Sequence, residues 1–441
     1  MNDPGSGPES PFWNPRTETM PREELAAWQW RKLRVALAQA RGSKFWADRI
    51  PEDISSLEDY TRRVPLVTKK DLVAAEEVAP PFGLLPSIDP ASGMRFHQTS
   101  GTSGNTPLRT FDTVRDWTWA VDQWCTVLHG VGVRPGQRGI VAFGYGMFIG
   151  FWGMQDAMMR MGCTVLPTGS MDSAARVRLL VDYQIEVMGC TPTYALRLLE
   201  TAKDMGIDLA VEGNLKTVIT GAEPRPPATV RAIAEGFGAK VFDVAGMTEL
   251  ATVFTFECAA GGAGGAGVSH IIEPAAIEEV LHPETREPVG YGERGVRVMT
   301  GLGREGWQIF RYWTEDIVIK RPWHECSCGR TWDWYEGGII GRSDDMRKIR
   351  GISVTPVMVE DVVRGFTAVR EFQTVLRADR GLDVMVLRIE PADPASAPAD
   401  LAEDIGAEIK RTIGLQPRVE LVEPGVLPRF EAKAARFHDE R

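Results

Sequence analysis

From Gly139 onward, short apolar runs alternate with stretches of helical spacing: GIVAF and a helix through Met161, CTVLP and SAARVRLLVDY, EVMGC and PTYALRLLETAKDM, KTVIT and PPATVRAIAEGF, then KVFDV. A strand can be apolar throughout only where both of its faces are covered. The alternation therefore predicts an α/β fold with a mostly parallel sheet and helices on both faces. In such folds ligands sit beyond the carboxyl ends of the strands, so the residues following each run become the candidates for chemistry.

The flanks read differently. Residues 1 to 95 are amphipathic helical stretches such as REELAAWQWRKLRVALAQARGS, which stops at a glycine; they predict a helical layer ahead of the sheet of residues 96 to 253. After a Gly/Ala loop at 259 to 267, shorter β-like segments (GVRVMT, DIVIK) predict a smaller β-rich subdomain with its own sheet over 254 to 341. Residues 342 to 441 read strand-turn, helix (TPVMVEDVVRGF), two strands, helix (DLAEDIGAEIKRTIG) and strand, a separate small α+β domain. The boundary falls between residues 341 and 345. At 441 residues the chain is long enough for these domains.

Charge and hydropathy narrow the classes of partner. There are 50 Lys plus Arg against 60 Asp plus Glu, with no basic cluster to track a phosphate backbone, which argues against nucleic acid. The longest stretch without a charged or strongly polar residue, Gly139 to Met154, is too short to span a bilayer and is broken by Gly144, Gly146, Gly150 and Gly153. The N-terminus lacks the basic and apolar regions of a signal peptide, so the expected location is the cytoplasm. Cys125, Cys163 and Cys190 lie in apolar surroundings and read as buried thiols.

One polar segment interrupts the pattern. HQTSGTSGNTPL, residues 97 to 108, interleaves hydroxyl side chains with Gly101 and Gly104. Small residues let a backbone approach an anion, while Thr99, Ser100, Thr102, Ser103 and Thr106 offer donors, which suits a phosphate cradle. A plain Ser/Thr/Gly surface loop is the other reading. No Gly-Lys-Ser/Thr follows, so this is not a Walker A loop.

Further segments stand at strand ends or beyond: TGAEP (220 to 224), DVAGMTE (243 to 249), RYWTEDI (311 to 317), GRSDDMRKIRGISVTP (341 to 356) and LPRFEAKAARF (427 to 437). Taken in order with the 99 to 107 loop, they resemble the adenylate-forming acyl-CoA synthetase superfamily, and within it the phenylacetate-CoA ligase family. The resemblance runs from about Thr99 to the C-terminus, roughly three quarters of the chain. It implies an AMP-forming acid-thiol ligase working in two steps: an aryl carboxylate and ATP give acyl-AMP, and coenzyme A then displaces AMP.

Carried over position by position, Thr99, Ser100, Gly101, Thr102, Ser103 and Gly104 would hold the ATP phosphates, and Gly221, Ala222, Glu223 and Pro224 would line the adenine. Asp316 would bind the ribose, Arg342 could reach phosphate or ribose or be a surface charge, and Glu249 would help hold Mg²⁺. Lys433 would bridge the carboxylate and the α-phosphate, where a fixed ammonium favours the charge of the transition state. Tyr145, Gly146 and Phe148, with Ala245 and Gly246, would line the acyl pocket. Asp344 would be the hinge of a mobile C-terminal domain, presenting first Lys433 and then Arg350, Gly351 and Ile352 near the coenzyme A tunnel.

The chain departs from the family pattern at three places. Ala245 stands for a tyrosine, the family's Thr-Gly-Asp is Thr314-Glu315-Asp316, and Asn105 replaces a common lysine. These imply weaker nucleotide binding and an acyl pocket wider at one wall. The acceptor stays open between coenzyme A, a carrier protein and an amine. A non-catalytic nucleotide-binding homologue is a further alternative, and a homodimer a further assembly.

HECSCG puts Cys326 and Cys328 two apart before Gly329, and Cys258 and His270 flank the Gly/Ala loop upstream. Three thiolates and one imidazole suit a tetrahedral structural Zn²⁺, with His324 as the rival nitrogen ligand and reduced free thiols as the other reading.

Overall fold

A computed structural model describes residues 10–99, 106–223, 225–261, 267–379, 382–394, 398–430 and 435–441. The apolar runs form the expected parallel core. In spatial order it comprises strands Thr164–Leu166, Arg138–Val141, Val187–Cys190, Thr217–Gly221 and Lys240–Met247. Helices Trp152–Arg160, Ser173–Asp182, Pro192–Asp204 and Pro227–Phe237 alternate with these strands in sequence. Pro227–Phe237 closes on Gly238 at φ +63°, the left-handed C-terminal turn that glycine adopts without a steric cost.

The β-rich part departs from expectation. Rather than forming a sheet of its own, the chain turns back at Ala251 (φ +67°), and strand Thr252–Glu257 pairs antiparallel with Lys240–Met247. Strands Val268–Ile271, Trp334–Glu336, Tyr312–Arg321, Arg294–Gly301 and Ala276–Leu281 extend the same hydrogen-bonded sheet. A reversal of a few residues delivers the next strand to the neighbouring free edge, so the ladder continues across the expected boundary.

Helix Arg22–Ala40 turns Leu25, Leu33, Ala36, Leu37 and Ala40 inward, as its spacing dictates. Its polar side chains reach the β-rich part: Arg22 pairs with Glu273, and Gln29 donates to the carbonyls of Glu273 and Ala276. The N-terminal layer therefore braces the antiparallel half of the sheet.

The C-terminal part is a four-stranded sheet, with Val369–Asp379 and Leu382–Pro391 as its long central hairpin and Arg418–Leu421 and Phe437–Asp439 as parallel edges. Helices Pro356–Val363 and Leu401–Ile413 contribute Val359, Val363, Ile405 and Ile409 to a core of its own. No helix among the described residues is long and apolar enough to cross a membrane.

Candidate active site and metal corner

The chemistry-bearing motifs meet at the carboxyl end of the parallel strands. At the end of Thr217–Gly221, a Cβ on Gly221 would come within 2.8 Å of the Val244 carbonyl, so only glycine fits there. Ala222 follows at φ +70°, and a Glu223 carboxylate oxygen accepts from the Thr193 amide at 3.1 Å. On the next strand Gly246 is equally obligatory, since a Cβ would meet the Thr252 carbonyl at 2.5 Å. Ala245 beside it is half-buried.

Glu249 sits in the short turn Thr248–Leu250, with its carboxylate buried. Its Oε1 accepts from the Tyr312 hydroxyl at 3.2 Å and lies 3.7 Å from Lys69 Nζ. Its main-chain carbonyl accepts from buried Arg304 at 2.9 Å, and Arg304 is held in turn by Asp112 at 2.7 Å. Nothing in the sequence spacing of Lys69, Tyr312 and Arg304 connects them to Glu249.

Asp316 is four residues along the strand from Tyr312. Burial raises its carboxyl above the usual range, opposed by Arg297 at 3.9 Å and Arg342 at 3.3 Å. Arg342 Nε and Nη2 each donate to Asp344 at 2.8 Å, so one guanidinium spans the ribose candidate and the hinge candidate. Between them Glu315 occupies φ +67°, a left-handed conformation that costs a residue bearing a Cβ roughly 1–2 kcal/mol.

Thr99 is buried, and its side chain and amide pair with Leu108 at 3.0 and 2.9 Å, closing the neck of the phosphate-loop candidate. Ser100, Gly101, Thr102, Ser103 and Gly104, together with Asn105, Pro224 and Lys433, lie outside the described residues. The acyl-pocket candidate at 143 to 153 is a loop until its last two residues, since the helix begins only at Trp152. Within it Tyr145 packs on Trp152 (ring centroids 4.6 Å apart) and bonds to the Gln155 carboxamide. Burial pushes its phenol up to about 12, so it stays protonated as a donor. Gly146 and Phe148 are exposed, and the Gln98 amide donates to the Met147 carbonyl at 2.9 Å, tying this loop to the strand that enters the phosphate loop.

The cysteine corner assembles as expected. Donor atoms of Cys258, His270, Cys326 and Cys328 all lie within 4.8 Å of one another. Cys258 Sγ is 3.7 Å from Cys326 Sγ, and Cys328 Sγ is 3.2 Å from His270 Nε2. Two thiolates on a tetrahedral zinc at about 2.3 Å stand about 3.8 Å apart, so the spacing suits that ion. The Trp332 carbonyl holds His270 Nδ1 at 3.1 Å, which leaves Nε2 facing the sulfurs. His324 is exposed on the turn Trp323–Glu325, outside the group.

The C-terminal part docks on helix Pro192–Asp204. Arg436 reaches Thr193 Oγ1 at 3.3 Å and Arg370 pairs with Glu200 at 3.2 Å. Arg350, at φ +51°, donates to the Asp383 carbonyl, and Gly351 follows at φ +83° on the exposed face of the small domain.

Comparison with known proteins gives this geometry its context. Residues 58–303 match the AMP-binding enzyme family and residues 351–441 the AMP-binding enzyme C-terminal domain. The phenylacetate-coenzyme A ligase of Thermus thermophilus is 32% identical, over 95% of this chain and 97% of its own length. The chain belongs to the phenylacetate-coenzyme A ligase family of AMP-binding enzymes. The Escherichia coli member is 29% identical over 96% of this chain and 97% of its own length.

Family membership makes the domain arrangement informative. A solved 2-hydroxyisobutyryl-CoA ligase in the postadenylation state, in complex with 2-HIB-AMP, superposes with TM-score 0.91 at 27% identity, covering 100% of this chain and 95% of that one. The same ligase with 2-HIB-AMP and CoA in the thioesterification state gives 0.73 at 28% identity, with the same coverage. The large and small domains here are therefore arranged as in the former.

Proposed function

We propose that this chain condenses an aromatic carboxylic acid with ATP to acyl-AMP and passes the acyl group to coenzyme A. The observation that carries the reading is the linkage of Glu249, Tyr312, Asp316 and Arg342 at one end of the sheet, in a family whose named members are CoA ligases. In the first step a carboxylate oxygen attacks the α-phosphorus and the bond to pyrophosphate breaks. In the second the coenzyme A thiol loses its proton and attacks the acyl carbonyl, and the bond to AMP breaks.

Each side chain has a part in this scheme. The loop beginning at Thr99 holds the phosphates; Gly221 and Ala222, with Glu223 and Pro224 after them, frame the adenine; Asp316 and Arg342 take the ribose hydroxyls. Glu249 supplies a carboxylate oxygen for a phosphate-bound Mg²⁺, the hard-oxygen ligand such an ion prefers. Lys433 stabilises charge at the α-phosphate. Tyr145 and Phe148 offer aromatic surface to a flat ring, and Ala245 leaves one wall open. Asp344 serves as hinge where the large domain of residues 1 to 341 meets the small one, and Arg350 and Gly351 approach coenzyme A after rotation. Cys258, His270, Cys326 and Cys328 hold a structural zinc, which fits the three-sulfur, one-nitrogen donor set.

The test is mass spectrometry of products from ATP and a panel of benzoic, hydroxybenzoic, aminobenzoic and phenylacetic acids, with and without coenzyme A. An aryl-CoA and AMP are expected when all three substrates are present. Acyl-AMP that persists beside coenzyme A points instead to a carrier protein or amine acceptor. No product from any acid would overturn the reading.

A further inference from the structure

Glu315, in the TED motif beside Asp316, has no role in the scheme above, and its backbone is held where glycine would be unstrained. Among the described residues, its side chain and carbonyl hydrogen-bond to Ser343. The Ser343 amide donates to the Glu315 carbonyl at 2.8 Å, Ser343 Oγ lies 3.3 Å from the same carbonyl, and that hydroxyl also donates to the Glu315 carboxylate. The ladder that pairs Ile317 with Gly341 and Asp316 with Arg342 is thereby carried one residue further, with a side-chain link closing its end. Asp344, the next residue, is exposed, and among the described residues its side chain is held by Arg342 alone.

We infer that Glu315 is a positioning residue: its carboxylate clasps Ser343 to the large domain and fixes the stationary end of the hinge, so that rotation is confined to Asp344 and Asp345. This rests on the two-step, domain-rotating reading above. A pivot of one or two residues returns the small domain to the same two orientations at each turnover. A pivot that can also spend motion at Ser343 visits more arrangements, and each productive one is populated less. A carboxylate at a left-handed position makes sense on these terms, because the backbone turn at Glu315 aims the side chain at the hydroxyl.

The experiment is amide hydrogen exchange resolved at Ser343 in the full-length chain, alongside rates of the two half-reactions. Glu315→Gly fits the backbone better and removes the clasp, so thermal stability should hold or rise while Ser343 exchange increases about fivefold, the scale of one net hydrogen bond. Ser343→Ala at the partner should raise exchange of the same amide, and Glu315→Gln, whose amide oxygen still accepts, should restore it. Both half-reactions should slow together in Glu315→Gly with the Michaelis constant for ATP unchanged, a split that loss of a nucleotide contact would not give. Unchanged Ser343 exchange in Glu315→Gly overturns the inference, as does wild-type exchange at Ser343 that rises to that of Asp344 when coenzyme A is added. Failure of the parent chain to make acyl-AMP would count against the two-step reading alone, since the exchange comparison is made on the resting protein.

Discussion

The cysteine corner and the hinge both join distant stretches of chain, by opposite physical means. At the corner, Cys258, His270, Cys326 and Cys328 converge within 4.8 Å, and Arg330 next to them is buried against Glu18 with Nη2 to Oε2 at 2.7 Å. At the hinge, a two-pair ladder leads into exposed Asp344 and Asp345, and the small domain touches helix Pro192–Asp204 through polar side chains such as Arg370 and Arg436. Buried and half-buried donors around one point give a joint that opens only with unfolding. Partly exposed ion pairs, each contributing about 1 kcal/mol or less, give one that can be exchanged for another set. In the two-step reading proposed above, the corner keeps the sheet fixed while the hinge lets the small domain turn on it.

The comparison breaks most readily at the corner. Purified protein should hold about one zinc per chain, and Cys326→Ser should lose it together with more than about 3 kcal/mol of stability in thermal unfolding, because a structural ion binds only the folded arrangement. A metal-free preparation that unfolds at the same temperature would remove the fixed joint. Next in size is Lys433→Ala, expected to slow acyl-AMP formation about 10²-fold while sparing thioester formation from pre-made acyl-AMP. Equal loss in both half-reactions would show that Lys433 does not alternate with the domain. The smallest effect belongs to the pivot. Asp344→Pro fixes φ near −65° and should slow transfer to coenzyme A about tenfold, so that acyl-AMP accumulates. Wild-type rates in both steps would place the swing elsewhere.

Much of this was legible beforehand because it is written in short-range pattern. The runs that became Val187–Cys190, Thr217–Gly221 and Lys240–Met247 are apolar because both their faces are covered, and burial of that kind needs no partner to be named. The cysteine corner was legible for a different reason. Thiols and imidazoles are few, and a set of four with suitable chemistry has few uses. The continuous sheet was not legible, since the edge a strand joins depends on the reversal at Ala251, a left-handed turn at a residue that gives no local sign of it.

The alternating core, the order of the motifs at its strand ends and the donor set of Cys258, His270, Cys326 and Cys328 follow from local pattern in the chain. It takes the folded chain to bring Lys69 and Tyr312 to Glu249, to turn Nε2 of His270 rather than His324 toward the sulfurs, and to carry Glu315 across to Ser343. The physical reason is range. Periodicity and turn chemistry act between residues a few positions apart, whereas these pairs are separated by as many as 180 positions, from Lys69 to Glu249, and meet only once the elements that carry them have packed together.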